Sequence, residues 1–335
     1  MIYNQSLKYI KPRKLDFFKT RISAKKRDVI IEVKSCGICG SDLKIFHGNN
    51  KRVKKNRVIG HEIAGKIVQS PKKQNLFRVN HNIVLGADIE NEENKDFALG
   101  HEIDGGFQQY LKINYEILKR TPHFVTKKKI DYDLASMTEP LACCLNGFEQ
   151  INFKPNCDVV IFGAGPIGQI IAKLSVYFKS NKVFLIDNKK NKLKKGVTNK
   201  KIKKLTFSQL KKVKNRKKIK FIFVACNSIE AQSQAIELAE NDVSINFFAG
   251  IKKKNKKDPL LEVNTNNIHY KQLKIVGSHG SKFRHVIKAA DLIINKKIKL
   301  NKLISHIYDI KNYKEAFAKL MSGNSLKIII KPNLK

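Results

Sequence analysis

After Asp158, the apolar run Val159-Val160-Ile161-Phe162 stops at Gly163-Ala164-Gly165-Pro166-Ile167-Gly168, after which apolar residues recur at helical spacing from Ile167 to Phe178. No other stretch constrains the fold as strongly. A short strand that is apolar throughout belongs in a parallel sheet covered on both faces. In such a turn the first glycine allows the tight bend, the second lets the backbone approach a pyrophosphate, and the third lets helix and strand pack closely. The helix N-terminus then offers unpaired N–H groups to the phosphates. Gly163, Gly165, Pro166, Ile167 and Gly168 are therefore candidate dinucleotide contacts. Val183-Phe184-Leu185-Ile186 reads as the next strand, and Asp187 ends it. A carboxylate there accepts hydrogen bonds from the ribose hydroxyls and repels a 2′-phosphate, which favours NAD. Asn188, Lys189 and Lys190 follow it and keep NADP open.

The alternation continues downstream. Phe221 to Ala225 and Val243 to Phe248 read as strands, with a helical stretch from Ile229 to Glu240 between them. Ligands gather at the carboxyl ends of parallel strands, so Cys226-Asn227 and Ala249-Gly250 should border the nicotinamide half of a cofactor. Upstream, residues 27–35, 58–69, 79–85 and 106–113 carry β-branched, alternating or continuous apolar patterns. The chain thus reads as a β-rich domain followed by an α/β domain. The tail shows helices near 282–296 and 311–322 and a last strand near 326–331. A length of 335 residues suits about two domains. Boundaries are expected at 1–141, 142–280 and 281–335, the last segment returning to the first domain.

The net charge of +39 raises the question of nucleic acid, anionic membrane or anionic substrate. Lysine is spread over the whole length, and Asn and Ile are abundant too, which reads as compositional bias. The dense block from Asn188 to Lys220 is interrupted by Leu193, Val197, Ile202, Leu205, Phe207, Leu210 and Val213, the pattern of amphipathic elements with a solvated basic face. No nucleic-acid motif accompanies it. No apolar run reaches the ~18–20 residues of a membrane span, and no signal-peptide pattern opens the chain. A soluble cytoplasmic protein is expected, with reduced thiols or metal ligands rather than disulfides among its six cysteines.

Cys36-Gly37-Ile38-Cys39-Gly40-Ser41-Asp42 and Gly60-His61-Glu62 bring sulfur, imidazole, carboxylate and hydroxyl into a short span. That donor set suits zinc, and a serine beside a ligand offers a route for a proton. These motifs, with Glu139-Pro140-Leu141, the Gly163 to Gly168 turn, Gly277-Ser278-His279-Gly280 and the closing Lys327-Ile328-Ile329-Ile330-Lys331-Pro332, occur in an order that resembles the zinc-dependent medium-chain dehydrogenases. Within these the chain looks most like the sorbitol (L-iditol) and threonine dehydrogenase branch.

The resemblance implies a GroES-like β-rich catalytic domain joined to a Rossmann doubly wound parallel-sheet domain. It implies that Cys39 and His61 bind one catalytic zinc, that Glu62 is a ligand as in the polyol and threonine branch, and that Glu139 coordinates directly or through bound water. Cys36 then only packs, as do Cys143, Cys144, Cys157 and Cys226. Ser278 and His279 either line the cleft, Ser278 as a cofactor contact, or cap a turn. Gly100-His101-Glu102 repeats the Gly-His-Glu wording but falls in a conventional loop before Gly105, so it reads as structural; His81 and His123 have no motif around them.

Two departures stand out. Many relatives carry four cysteines for a structural zinc, whereas residues 86–100 contain none and are acidic at Asp88, Glu90, Glu92, Glu93 and Asp96, so no structural zinc is expected. Lys44 stands where relatives often end the proton relay with a histidine, and His47 is three residues displaced. The implied reaction is reversible oxidation of a secondary alcohol, such as a polyol, by NAD(P), in a homo-oligomer of two or four chains. Three alternatives stand beside it: a sugar phosphate or sugar acid substrate, a threonine-type amino alcohol, and a catalytically dead relative that binds nucleic acid.

Overall fold

Six parallel strands organise the unit Cys143–His279, in the order Ile202–Leu205, Val183–Ile186, Asp158–Phe162, Ile219–Val224, Ser244–Phe247 and Lys274–Gly277. The computed structural model describes residues 1–90, 97–213, 216–251 and 259–333. Successive strands are added outward from Asp158–Phe162 first on one side and then on the other, which makes the sheet doubly wound and puts the switch point beside that strand. All five of its residues are buried, as the apolar run requires. The turn then feeds the helix Pro166–Tyr177, with Gly165 at its N-cap and Pro166 at its first position, where a missing N–H costs nothing. Ile170, Ile171 and Leu174 form its buried face. Within the basic block lie the short helix Lys190–Leu193, the strand Ile202–Leu205 and the helix Phe207–Lys211. Val197 and Leu210 are its buried anchors.

The second unit combines Met1–Ala142 with Gly280–Lys335. Its larger sheet has seven strands: Ile304–Asp309, Lys327–Lys331, Asp28–Ile38, Glu62–Gln69, Asn82–Leu85 and His123–Thr126 run side by side, and Tyr110–Asn114 also pairs with Asp28–Ile38. A smaller sheet is built from Lys14–Ile22, Ile2–Lys11 and Arg57–Val58. The core between them includes Leu7, Ile31, Ile38, Ile63, Phe77, Phe107 and Ile328.

One strand expectation is corrected. Residues 58–69 are not continuous: Arg57–Val58 pairs with the smaller sheet, and Glu62–Gln69 belongs to the larger one. The break falls at Gly60, whose φ of +90° is a conformation that side chains disfavour. His61 therefore sits at a corner between sheets rather than along a strand. The hairpin Ile2–Lys11 with Lys14–Ile22, turning at Arg13 (φ +61°), was not expected at all. No helix among the described residues is long and apolar enough to cross a membrane.

Candidate active site

Cys39 closes the Asp28–Ile38 strand and stands at the N-cap of the helix Gly40–Phe46. Asp42, one turn in, is fully buried and gathers three pieces of chain. One oxygen accepts the Cys39 N–H at 2.8 Å, and the other accepts the Gly60 N–H at 3.2 Å and lies 3.7 Å from His61 Nδ1. Asp42 thus pins the corner at Gly60 to the helix start and aims the next residue. The ligand atoms of Cys39, His61 and Glu62 all lie within 4.8 Å of one another.

These residues fit a zinc ion. Thiol, imidazole and carboxylate form a zinc donor set. His61 is 5% exposed and its Nδ1 has no hydrogen-bond partner, an orphaned polar atom in a buried place. Metal-bound histidines commonly turn their second nitrogen to a carboxylate, and Asp42 stands where Nδ1 needs one. The other nitrogen, Nε2, lies 3.3 Å from Ser41 Oγ. Burial works against a charged His61, yet the Asp42 carboxylate and Cys39 outweigh it and hold the imidazole well above its ordinary pKa. Burial raises the Asp42 carboxyl, opposed by His61 and by the Cys39 N–H.

Glu62 has a second partner that the sequence did not reveal. Lys327, 3% exposed, opens the strand Lys327–Lys331, and its Nζ lies 2.5 and 2.6 Å from the two Glu62 oxygens. The same ammonium donates to the Ile38 carbonyl at 3.3 Å. The topology explains the meeting: Glu62–Gln69 and Lys327–Lys331 flank the end of Asp28–Ile38 on opposite sides. Gly37 lies between them, and a Cβ there would come within 1.9 Å of Glu62 Oε2. Burial disfavours the Lys327 charge, but Glu62 prevails and its pKa stays raised.

Glu139 is buried in the first turn of the helix Thr138–Gln150. It acts on His61 and Lys327 through charge and lies outside the 4.8 Å group. Cys36 is wholly buried in the core, its Sγ near the Gly37 carbonyl at 3.7 Å. Lys44 and His47 are exposed. None of the six cysteines is in a disulfide. Of the acidic stretch 86–100, residues 91–96, with Glu92, Glu93 and Asp96, lie outside the described residues. His101 stands beside the metal group: its ring centroid is 5.7 Å from that of His61.

In the other unit, Gly163 has φ +103° and Gly168 backs onto it so closely that a Cβ would fall 1.8 Å from the Gly163 carbonyl oxygen. Asp187 follows the Val183–Ile186 strand; one oxygen accepts the Ala164 N–H at 3.0 Å and the other the Lys189 N–H at 2.9 Å. The acid is thereby held against the glycine turn. Cys226 is half-buried after Ile219–Val224, and burial lifts its thiol to about 11. The Ala249 N–H bonds the Val224 carbonyl at 3.1 Å, with Gly250 next in chain. Ser278 donates to Asn246 at 3.0 Å, and Asn246 donates to the Gly147 carbonyl at 3.2 Å. Gly163, Asp187, Cys226, Ala249 and Ser278 all lie at the carboxyl ends of the parallel strands, where such sheets bind nucleotides.

Residues 25–123 match the family model described as the alcohol dehydrogenase GroES-like domain. The chain is 26% identical to D-arabinitol dehydrogenase 1 of Uromyces fabae, over 98% of this chain and 97% of that protein. It is 24% identical to a sorbitol dehydrogenase of Halalkalibacterium halodurans, over 92% of each. Its fold superposes on a protein of Escherichia coli CFT073 described as a short chain alcohol dehydrogenase and complexed with NADH, with a TM-score of 0.82 and 24% identity, covering 98% of this chain and 99% of that one. Residues 25–123 carry the alcohol dehydrogenase GroES-like domain, and the motifs, the doubly wound sheet and these relatives support the zinc-dependent medium-chain dehydrogenase/reductase superfamily and its polyol dehydrogenase branch.

Proposed function

We propose that this protein catalyses the reversible oxidation of a secondary alcohol of a polyol to the ketone, with one zinc per chain and NAD as cofactor. The convergence of Cys39, His61 and Glu62 carries the reading. When bound, zinc supplies Lewis acidity that favours loss of a hydroxyl proton, and the nicotinamide supplies the hydride acceptor. Asp42 orients His61. Lys327 fixes the Glu62 carboxylate, and Glu139 adds negative charge to the same neighbourhood. The half-buried Ser41 hydroxyl, beside His61 Nε2, accepts the substrate proton and passes it outward. The turn Gly163 to Gly168 cradles the pyrophosphate, and Asp187 reads the ribose. The absence of cysteine between 86 and 100 supports a single zinc site. A homo-oligomer, by resemblance to the family, located in the cytoplasm and acting on a small molecule rather than on nucleic acid, completes the proposal.

Metal analysis combined with NAD reduction on a panel of polyols tests this. One zinc per chain with polyol-dependent NADH formation is expected; a folded protein that takes up neither zinc nor cofactor overturns it. The charge of +39 favours, as a second reading, a phosphorylated or acidic sugar as substrate. In that case turnover falls steeply with added salt, because screening weakens exposed charge contacts.

A further inference from the structure

The second Gly-His-Glu, read from sequence as a structural loop, ends beside the metal residues. His101 and His61 lie with ring centroids 5.7 Å apart and planes tilted by 50°. His101 is partly exposed where His61 is buried. A carbonyl can only accept, so the contact of His101 Nδ1 with the Leu99 carbonyl at 3.2 Å makes Nδ1 the protonated nitrogen. The lone pair of the neutral ring is then on Nε2, which has no partner among the described residues.

The loop that carries this imidazole is anchored on several sides. The Arg52 guanidinium grips Glu102 with both arms, at 2.7 and 2.9 Å, and Glu102 also accepts the Ala98 N–H at 2.9 Å. The Leu99 N–H bonds the Ala87 carbonyl at 3.0 Å, and the Gly100 N–H bonds the Ile103 carbonyl at 2.8 Å. Gly100 lies directly on Gly60: a Cβ there would be 2.9 Å from the Gly60 oxygen. The residue before His101 is thus packed on the residue before His61. Such a setting holds a side chain in one place, as substrate recognition requires.

We propose that His101 is a substrate-binding residue of this site, whose Nε2 accepts a hydrogen bond from a hydroxyl adjacent to the one oxidised, and so selects polyols over simple alcohols. This rests on the dehydrogenase reading above and adds a residue and a specificity to it. A polyol offers a neighbouring O–H donor; a mono-alcohol offers none.

The test compares wild type with His101→Ala and His101→Gln, on sorbitol and on 2-butanol, in zinc-loaded protein. For His101→Ala, kcat/KM on sorbitol should fall about ten- to hundredfold, while 2-butanol changes less than about twofold. Zinc content should stay at the wild-type level. The calorimetric Kd for sorbitol with NADH present should rise by about tenfold or more. His101→Gln, which retains an acceptor oxygen, should recover part of both losses. Equal losses on the two alcohols, or an unchanged sorbitol Kd, overturn the proposal while leaving the dehydrogenase reading intact. A wild type that oxidises neither alcohol overturns that reading; calorimetry then decides, and sorbitol binding that does not depend on His101 overturns the proposal as well.

Discussion

Lys327 Nζ reaches both carboxylate oxygens of Glu62, at 2.5 and 2.6 Å, across a sequence separation of 265 residues. The pair is buried at the end of three adjacent strands, and one of its members is a candidate zinc ligand. Removing one partner of such a pair leaves an uncompensated charge, at a cost of about 3–5 kcal/mol. Lys327→Met should therefore destabilise the metal-free protein by about that amount. Zinc at Glu62 replaces the missing positive charge, so the zinc-loaded variant should lose much less. Urea unfolding with and without a chelator measures the difference. Equal losses in the two states would separate Lys327 from the metal site.

Asp42 holds His61 from behind, and such partners typically contribute 10–100-fold to metal affinity. Asp42→Asn should weaken zinc by about that factor in chelator competition. His61→Ala should lose the metal more completely, with little NAD-dependent turnover. Full turnover in His61→Ala would remove it from the site.

Asp187 presents both oxygens at the mouth of the glycine turn. Asp187→Ser should lower kcat/KM for NAD by about tenfold or more, roughly 1.4 kcal/mol per factor of ten. NADP should gain relative to NAD, because the repulsion of a 2′-phosphate is lost and Lys189 and Lys190 remain. Steady-state kinetics with both cofactors reads the ratio; an unchanged ratio sinks the assignment.

His123 predicts a pH effect on stability. Its ring lies edge-on to Phe77 and Phe283, at 4.9 and 5.3 Å, and its Nδ1 contacts the Thr121 carbonyl at 2.7 Å. Burial lowers its pKa from the ordinary 6.5. The unfolded chain then binds more protons than the folded one as pH drops below 6.5. Stability should be fully present above that pH and decline as it falls through the depressed folded-state value. In His123→Phe the loss of melting temperature between pH 7.5 and pH 5 should be smaller. An identical loss would show that other groups carry it.

The nucleotide half was legible because its signals are local. Four consecutive apolar residues, three glycines and an acid after the next strand are each short-range signals, and the strands and turn form where they predict. The metal group was legible for a similar reason, since Cys39, His61 and Glu62 come from two short motifs. Lys327 was not legible: a lysine heading the run Lys-Ile-Ile-Ile-Lys looks like a solvated strand end, and only the sheet order shows it between two buried neighbours. The first hairpin escaped because its inward positions include polar residues. Asn4 and Ser6 are buried, Asn4 donating to Gln108 at 3.0 Å, so the strand shows no apolar alternation. Asp42 did carry a signal. An acid three residues after a helix N-cap is the spacing of a capping box, although a cysteine is an unusual residue to open one.

The central strand Asp28–Ile38 is bordered by Lys327–Lys331, the last strand in sequence among the described residues. This order has a consequence during synthesis. The contiguous segment from Cys143 to His279 can close its own sheet as soon as it is made, while Asp28–Ile38 must wait for Lys327–Lys331. At ribosomal speeds of about 5–20 residues per second, Glu62 spends roughly 13–50 seconds without its lysine. For that interval the nascent chain holds an open β edge and an unmatched carboxylate, and it is then that a chaperone, or an early metal ion, has most to offer.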